Sequence, residues 1–440
     1  MVTPRTGSSG ISQGDRPQGP PRATPDAAGA RGPVVFLSAL EPSADLHAAE
    51  LITAIQRRCP DARFIGLGGP RMRAAGCETL CDITGRSAML LSAVRIAGDA
   101  LRLLQRVDRF FAAGGADVFV PVDSPTFNLP LARRAKARRL PVVYYIAPQV
   151  WAWAEFRLRK VRQRTDQLAV ILPFEEAYFR AHRIPATFVG HPLMQSLPRR
   201  TPEAGLIDEF RGLGRPLIAC LPGSRRHVVN EVLPGQIEVC RRILSRYPDA
   251  GFLFAAANDE RAQDIRAAIR TAGRATPGSR SAPSRPLPCR IETGRNAEVI
   301  LAADLVLVAS GTATLEVAYY RRPMIAMYNA SKWGYRLLAR WLIRTPHLSL
   351  VNILAGRALV PEFMPYFESI EPIASEALDL LGDPTRRASM TAGLDALVRD
   401  LGSHRADEEA AALVLDACRT PSPGAKRVRP GPVGSRHRIW

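Results

Sequence analysis

Two short turns in this 440-residue chain have the residue types of a phosphate site. CLPGSRRH (220–227) closes an apolar run with Gly223, Ser224 and Arg225, then leads toward a helical pattern. ASGTATLE (309–316) closes another with Ser310, Gly311 and Thr312. A helix start offers unpaired N–H groups and a positive dipole end to an anion. An arginine beside it adds two parallel donors that match phosphate oxygens. Ser310 or Thr312 alone reads equally well as a helix cap. Two such turns in one half of the chain, one of them carrying Arg225, point to a diphosphate. Glu316 falls one turn into the second helix, a place from which a carboxylate binds ribose hydroxyls.

The first half sets carboxylates and a histidine after its strands. Asp123 closes DVFVPVD (117–123) and opens VDSPTFN (122–128), where by itself it reads as a strand-end residue facing the cleft or capping a turn before Pro125. Glu41 and Asp45 in ALEPSAD (39–45) form an acidic pair or serve as turn and N-cap residues. His191 titrates near neutrality, but a lone histidine after a strand reads first as a structural hydrogen-bonder. Trp151 and Trp153 flank Ala152 as packing residues or as a pocket wall. Cysteines at 59, 77, 81, 220, 240, 289 and 418 are scattered without a CxxC pair, and Cys77 and Cys81 lack further ligands nearby. That pattern predicts thiols, with neither a disulfide framework nor a metal site.

The elements that must position these residues alternate. Apolar β-branched runs at 34–40, 63–69, 117–123, 142–148 and 167–173 are separated by helical patterns, and a second series runs through 215–224, 250–257, 304–311 and 323–328. Continuous apolar strands between helices predict parallel sheets covered on both faces. The expected architecture is α/β: two Rossmann-like doubly wound domains facing a cleft, with ligands at the carboxyl ends of the strands. The expected boundaries are a tail over 1–33, a first domain over 34–205, a second over 206–395, a helical segment over 396–418 and a basic tail over 419–440. The second domain carries a Pro- and Ser-rich loop at 271–288.

Lysine and arginine total 60 against 41 aspartate and glutamate, a net charge of +19. Most of the excess sits in the two ends and in 266–290, which are poor in apolar residues, so the charge does not imply specific nucleic-acid binding. No apolar run approaches a membrane span and the N-terminus lacks a secretory apolar core, which predicts a cytoplasmic protein. Two basic segments suit an anionic bilayer surface. The stretch 87–111 sets Arg95, Arg102, Arg106 and Arg109 opposite Leu90, Val94, Leu101, Leu104 and Phe111; 331–344 mixes four basic residues with Trp333 and Trp341. Each reads equally as a core-facing helix with a solvated basic face.

These motifs, together with GLGGPRMRAAGC (66–77), APQVWAW (147–153), LPFEEAYF (172–179), FVGHPL (188–193) and NILAGR (352–357), resemble the lipid-A-disaccharide synthase family in order and spacing over about 34–418. The resemblance implies an inverting, metal-independent glycosyltransferase of the GT-B type, without a cofactor. It moves diacylglucosamine from its UDP carrier to diacylglucosamine 1-phosphate at the cytoplasmic face of the inner membrane. It implies Asp123 as base, with Glu41 the other catalytic candidate. Gly223, Ser224, Arg225, Ser310, Gly311, Thr312, Glu316 and Asn352 fall on the UDP-sugar side, and Asp45 and Asn128 on the acceptor side. A homo-oligomer is compatible with it. Leu40, Ala44, Ala93, Thr126 and Pro365 depart from the family pattern, all but the last in the acceptor half. Another acceptor, a UDP-sugar epimerase or a relative without activity are therefore the alternatives.

Overall fold

The computed structural model describes residues 32–82, 93–153, 155–272, 286–329, 347–364 and 369–419. The ends at 1–31 and 420–440, loop positions 273–285, the basic segment 331–344, Leu90 and Pro365 lie outside the described residues.

The first sheet has seven parallel strands, β1 (Val34–Ala39), β2 (Arg63–Gly68), β3 (Glu78–Asp82), β4 (Val118–Val122), β5 (Val143–Tyr145), β6 (Gln167–Val170) and β7 (Ala186–Phe188), in the order β3-β2-β1-β4-β5-β6-β7. β4 is buried at every residue because helices cover both faces, which is why its sequence does not alternate. β3 and β7 escape a hydropathy reading: one is the polar run ETLCD, the other only three residues long.

The second sheet holds β8 (Leu217–Leu221), β9 (Gly251–Ala256), β10 (Cys289–Thr293), β11 (Leu305–Ala309), β12 (Met324–Met327) and β13 (Glu362–Phe363), in the order β10-β9-β8-β11-β12-β13. In both sheets the strand order reverses once, between β1 and β4 in the first and between β8 and β11 in the second. At such a reversal the crossovers leave in opposite directions and open a crevice beyond the carboxyl ends. Glu41 follows β1, Asp123 follows β4, Gly223–Arg225 follow β8 and Ser310–Thr312 follow β11.

The C-terminal helices do not form a unit of their own. Pro384–Leu401 runs through residue 396 and buries Met390, Leu394 and Leu401 in the second core. The chain then crosses over, and Ala406–Arg419 sets Ala406, Ala410, Ala411 and Val414 into the first core, against the helix Pro42–Arg58. Glu408 meets Arg57 and Arg58 at 3.3 and 3.2 Å there.

In the helix Ala93–Ala112 the described apolar residues of the C-terminal half, Leu104 and Phe111 among them, face the core, while Leu90 and the Val94 side chain lie outside the described residues. Val107 and Phe111 are buried, Leu103, Leu104 and Phe110 pack against the same cluster, and Phe111 meets Phe36 edge-on at 5.0 Å. The spacing 103, 104, 107, 110, 111 is that of a core-facing stripe. Leu101 is half exposed, on the solvent side with Arg102, Arg106 and Arg109. Phe111→Ala should therefore lower stability by about 3–5 kcal/mol, whereas Leu101→Ser should stay within about 0.5 kcal/mol. Urea unfolding of the two variants checks this, and equal losses would contradict the packing.

Candidate active site

The β8 turn is shaped by Gly223. Its φ of 105° is a conformation L side chains rarely adopt, and a Cβ would lie 2.8 Å from Val228 Cγ1. The chain then enters the helix Arg226–Arg246 with Ser224 and Arg225 exposed at its start. At the β11 turn Gly311 is the N-cap of Thr312–Tyr319, with φ 131°. Thr314 closes this turn, its amide and hydroxyl donating to the Gly311 carbonyl at 3.1 and 2.8 Å. No side chain caps the helix from the Gly311 position, so capping does not occupy Ser310 or Thr312. The two turns wall a cavity of about 320 Å³ lined by Gly223, Ser224, Arg225, Ser310, Gly311 and Thr312, with Asn296 on a further wall.

Glu316 stands behind that cavity rather than on its wall. It is buried, and its carboxylate accepts from Arg200 Nη1 at 2.6 Å and from Asn296 Nδ2 at 3.4 Å. Asn296 is a wall residue of this cavity that the sequence reading missed. It follows β10, a weakly apolar strand with no punctuating motif, and only the fold brings it to this cavity.

A second cavity of about 490 Å³ lies on the first-domain side and is lined by Asp123, Ser43, His47, Arg157 and His191. Arg225 and Thr312 also line it, so the two cavities share a wall. Asp123 and Ser124 both adopt left-handed backbone, at φ 50° and 49°. Aspartate tolerates this and serine does so poorly, so surrounding bonds must hold the turn. The Asp123 carbonyl accepts from Asn128 Nδ2 and Tyr144 Oη, each at 2.7 Å, and the Asp123 amide donates to the Tyr145 carbonyl at 3.1 Å. Ser124 Oγ is buried with no hydrogen-bond partner. Glu41 lies beside this cavity, half exposed, with Oε2 4.0 Å from Arg225 Nη2 across the cleft. Solvated charges at that distance contribute little to stability.

Three residues expected at ligands are consumed inside the protein. Asn128 is wholly buried; its Oδ1 accepts from Ser38 Oγ at 2.7 Å, and its amide nitrogen also donates to the Ser38 and Val122 carbonyls at 3.2 Å. It ties β1, β4 and the Asp123 turn together and has no surface for an acceptor. Asp45 is buried and accepts from the amides of Gly69, Arg71 and Met72 at 2.8, 3.0 and 3.2 Å, satisfying the start of the helix Pro70–Ala74. Asn352 is buried too; its Oδ1 accepts from Leu359 and Val360 at 2.8 and 2.9 Å, and its Nδ2 donates to the Val360 carbonyl and Glu362 Oε2. It clamps the loop before β13 and does not line the cavity between the β8 and β11 turns.

The family departures Leu40, Ala44 and Thr126 fall off the cavity walls as well, while the Ala93 side chain and Pro365 lie outside the described residues. Ala44 sits in the first core, Leu40 packs against a neighbouring cluster, and Thr126 is exposed outside both linings. Trp151 is buried, donates to Glu175 Oε1 at 2.8 Å and meets Phe174 edge-on, so it packs. The Trp153 side chain lies outside the described residues. Burial pushes the Glu175 carboxyl up to about 7, against the hydrogen bonds from Trp151, Leu172 and Ile171 that favour its charged form.

His191 caps the short helix Pro192–Ser196, its Nδ1 accepting from the Leu193 amide at 3.2 Å, which leaves the proton of the neutral ring on Nε2. Burial, with a smaller contribution from His47, lowers its pKa to about 4. A histidine neutral down to that pH is a hydrogen-bonding wall residue, as its sequence context suggests.

Two facing α/β domains, a nucleotide-sized cavity at one reversal of strand order and a carboxylate at the other define a two-domain GT-B fold. The solved structures agree. A putative UDP-N-acetylglucosamine 2-epimerase from Listeria monocytogenes superposes with a TM-score of 0.56 at 13% identity, covering 88% of this chain and 95% of that one. The glycosyltransferase of kitacinnamycin gives 0.53 at 15%, covering 88% and 100%. At such identities the likeness is one of fold.

Sequence narrows the class. The lipid-A-disaccharide synthetase family model matches residues 35–415. The lipid-A-disaccharide synthase of Anaeromyxobacter dehalogenans is 37% identical over 390 residues, covering 88% of this chain and 97% of that protein. Those of Nitrosococcus oceani and Pseudomonas paraeruginosa are 35% and 33% identical, over 84% and 86% of this chain and 93% and 98% of theirs. The chain belongs to the lipid-A-disaccharide synthase family and is a glycosyltransferase.

The His191 pKa makes a pH prediction. An unfolded histidine takes up its proton near 6.5, the folded one only near 4, so the unfolded chain binds more protons between those values. Its contribution to stability is complete above pH 6.5 and is lost as pH falls toward 4. His191→Asn keeps an acceptor for the Leu193 amide without titrating. Its urea midpoint should fall less steeply over that window than the wild-type one. Parallel slopes would refute the buried neutral ring.

Proposed function

We propose that the chain transfers 2,3-diacylglucosamine from UDP to 2,3-diacylglucosamine 1-phosphate, inverting the anomeric carbon and releasing UDP without a metal. The observation that carries the reading is the shared wall: Arg225 and Thr312 line both cavities, so a diphosphate at the β8 and β11 turns would place its sugar toward Asp123. In the reaction an acceptor hydroxyl attacks the anomeric carbon and gives its proton to the Asp123 carboxylate. The bond from that carbon to the diphosphate oxygen breaks, and its electron pair leaves with UDP. Arg225 and the amides of the Ser310–Thr312 turn meet the developing charge. Ser224 binds beside them. Glu316 supports the ribose side through Asn296, and Glu41, within reach of Arg225, is the other candidate base.

The lipid-bearing substrates place the protein at the cytoplasmic face of the inner membrane. No helix among the described residues is long and apolar enough to cross a membrane, which fits peripheral attachment. Exposed Arg102, Arg106 and Arg109 beside Leu101 offer charge with little apolar area, so attachment through this helix depends on anionic lipid and weakens with salt.

Asp123→Asn should lower turnover by about 10²–10⁴ while leaving UDP affinity near wild type, because shape is kept and the proton acceptor is lost. Near-normal turnover would move the base to Glu41. A companion pair separates the diphosphate contact from general charge. Arg225→Ala should lose about 1.5–3 kcal/mol in UDP binding and slow transfer. Arg226→Ala, exposed and absent from both cavity walls, should do neither. Calorimetric titration with UDP and a transfer assay read the two effects, and small equal losses would put the phosphate site elsewhere.

A further inference from the structure

Two imidazoles line the first-domain cavity, those of His47 and His191, and the transfer step uses neither. Neither lines the cavity between the β8 and β11 turns. They come from strands far apart in the sheet order. His47 sits in the second turn of the helix Pro42–Arg58, after β1, and His191 is the N-cap of the helix Pro192–Ser196, after β7. Val189, two residues before His191, packs in the same cluster as Ala44 and Ala48, which brings the two rings to one cavity.

Their contacts with the protein set opposite tautomers. Nδ1 of His47 meets the Glu50 carboxylate at 3.4 Å. A carboxylate only accepts, so Nδ1 of the neutral ring carries the proton and Nε2 keeps a lone pair. Nδ1 of His191 accepts from the Leu193 amide at 3.2 Å, which puts the proton of that ring on Nε2. Neither Nε2 is sealed from solvent without a partner. One ring therefore offers the cavity an acceptor and the other a donor. The group that matches both is a hydroxyl, which donates and accepts at one oxygen. An ester carbonyl, an amide N–H or a phosphate oxygen satisfies only one of the two. The acceptor of the proposed reaction is substituted at carbons 1, 2 and 3 by phosphate and two acyl groups, and keeps hydroxyls at carbons 4 and 6. One of them attacks at Asp123, and the other needs a place of its own.

We propose that His47 and His191 together bind the acceptor's non-reacting hydroxyl, which donates to His47 Nε2 and accepts from the N–H at His191 Nε2. The assignment rests on the proposed transfer reaction and deepens it. It makes the two rings specificity-determining contacts and leaves Asp123 to the attacking hydroxyl. Glu50 is a positioning residue that acts through the His47 tautomer. Selectivity follows from hydrogen bonding: an acceptor lacking this hydroxyl leaves both ring nitrogens without partners in a site partly withdrawn from water.

The test uses the full chain, UDP-diacylglucosamine as donor and three acceptors: 2,3-diacylglucosamine 1-phosphate and its 4-deoxy and 6-deoxy analogues. One analogue lacks the attacking hydroxyl and gives no product; the other is the probe. Wild type should take the probe with a KM about 10- to 100-fold above that of the full acceptor, the loss of two hydrogen bonds. His47→Leu should raise KM for the full acceptor by about 3- to 10-fold. KM for the probe and for the donor should move by no more than about 2-fold, one bond being already absent or never made. His191→Asn keeps the helix cap but falls short of the ring's Nε2, and should do the same. Glu50→Ala keeps the imidazole and frees its tautomer, so part of the discrimination should go, a readout that a ring used only for packing would not move.

A wild type that takes the probe as readily as the full acceptor overturns the assignment while the transfer reaction stands. So does a KM that rises equally for both in His47→Leu, a rise confined to the donor, or discrimination unchanged in both ring variants. If neither analogue reacts, both are measured as inhibitors of the full acceptor, and His47→Leu must leave one of them unaffected; equal weakening of both overturns the assignment. A wild type that transfers to no acceptor overturns the reaction itself, and the assignment with it. If His47→Leu fails to fold, as circular dichroism would show, Glu50→Ala decides, and unchanged discrimination there overturns the assignment.

Discussion

A parallel strand can reach its neighbour only by leaving the sheet and returning in the same direction, so every strand in such a sheet ends at the same edge. That constraint assembles the site. With two sheets, each reversing its strand order once, four strand ends meet at the cleft. Glu41, Asp123, Gly223–Arg225 and Ser310–Thr312 occupy those four ends. Residues 41 and 123, or 223 and 312, are far apart in sequence yet follow neighbouring strand ends because parallel strands end at the same edge.

Holding a carboxylate at such an end has its own demands. The Asp123–Ser124 turn takes two consecutive left-handed residues, a conformation worth roughly 1–3 kcal/mol of strain each. Asn128, Tyr144 and the backbone of Tyr145 bind its peptide groups from three directions. The motif VDSPTFN thus divides its labour: its aspartate faces the cavity, and its asparagine is spent building the turn that aims it. Asp45 and Asn352 likewise satisfy backbone amides, of Gly69, Arg71 and Met72 and of Leu359 and Val360 respectively, outside their own motifs. A polar residue in a distinctive motif is therefore as apt to be scaffold as ligand, and burial tells the two apart.

The two domains are joined by more than the linker. Trp151, Ile171 and Leu172 of the first pack with Leu350, Ile353 and Leu354 of the second. Arg200, just past the last turn of the first domain, neutralises buried Glu316 in the second. The terminal helix Ala406–Arg419 returns to the first core. These contacts set one domain's Asp123 carboxylate against the other's β8 and β11 turns, and a charge buried at one of them is tolerated only because its partner arrives with it.

Sequence by itself determined the architecture and the position of the two turns. Hydrophobic runs between helical patterns require buried parallel strands, and a strand ending in Gly-Ser-Arg or Ser-Gly-Thr before a helix marks its turn locally. Local signals also put Asp123 at the carboxyl end of a strand, but do not choose between packing and a pocket wall for Trp151. What only the tertiary structure decided is which polar side chains remain available. Asn128, Asp45 and Asn352 are withdrawn by hydrogen bonds to groups distant in the chain or across a loop, while Asn296 and Arg157 come to the cavity walls from segments without a motif. The helix Ala93–Ala112 shows the same limit: its amphipathic pattern is identical whether the apolar stripe meets lipid or Phe36, and only packing against the sheet chooses the core. Hydrophobic periodicity is a property of one segment, whereas exposure depends on what the rest of the chain places beside it.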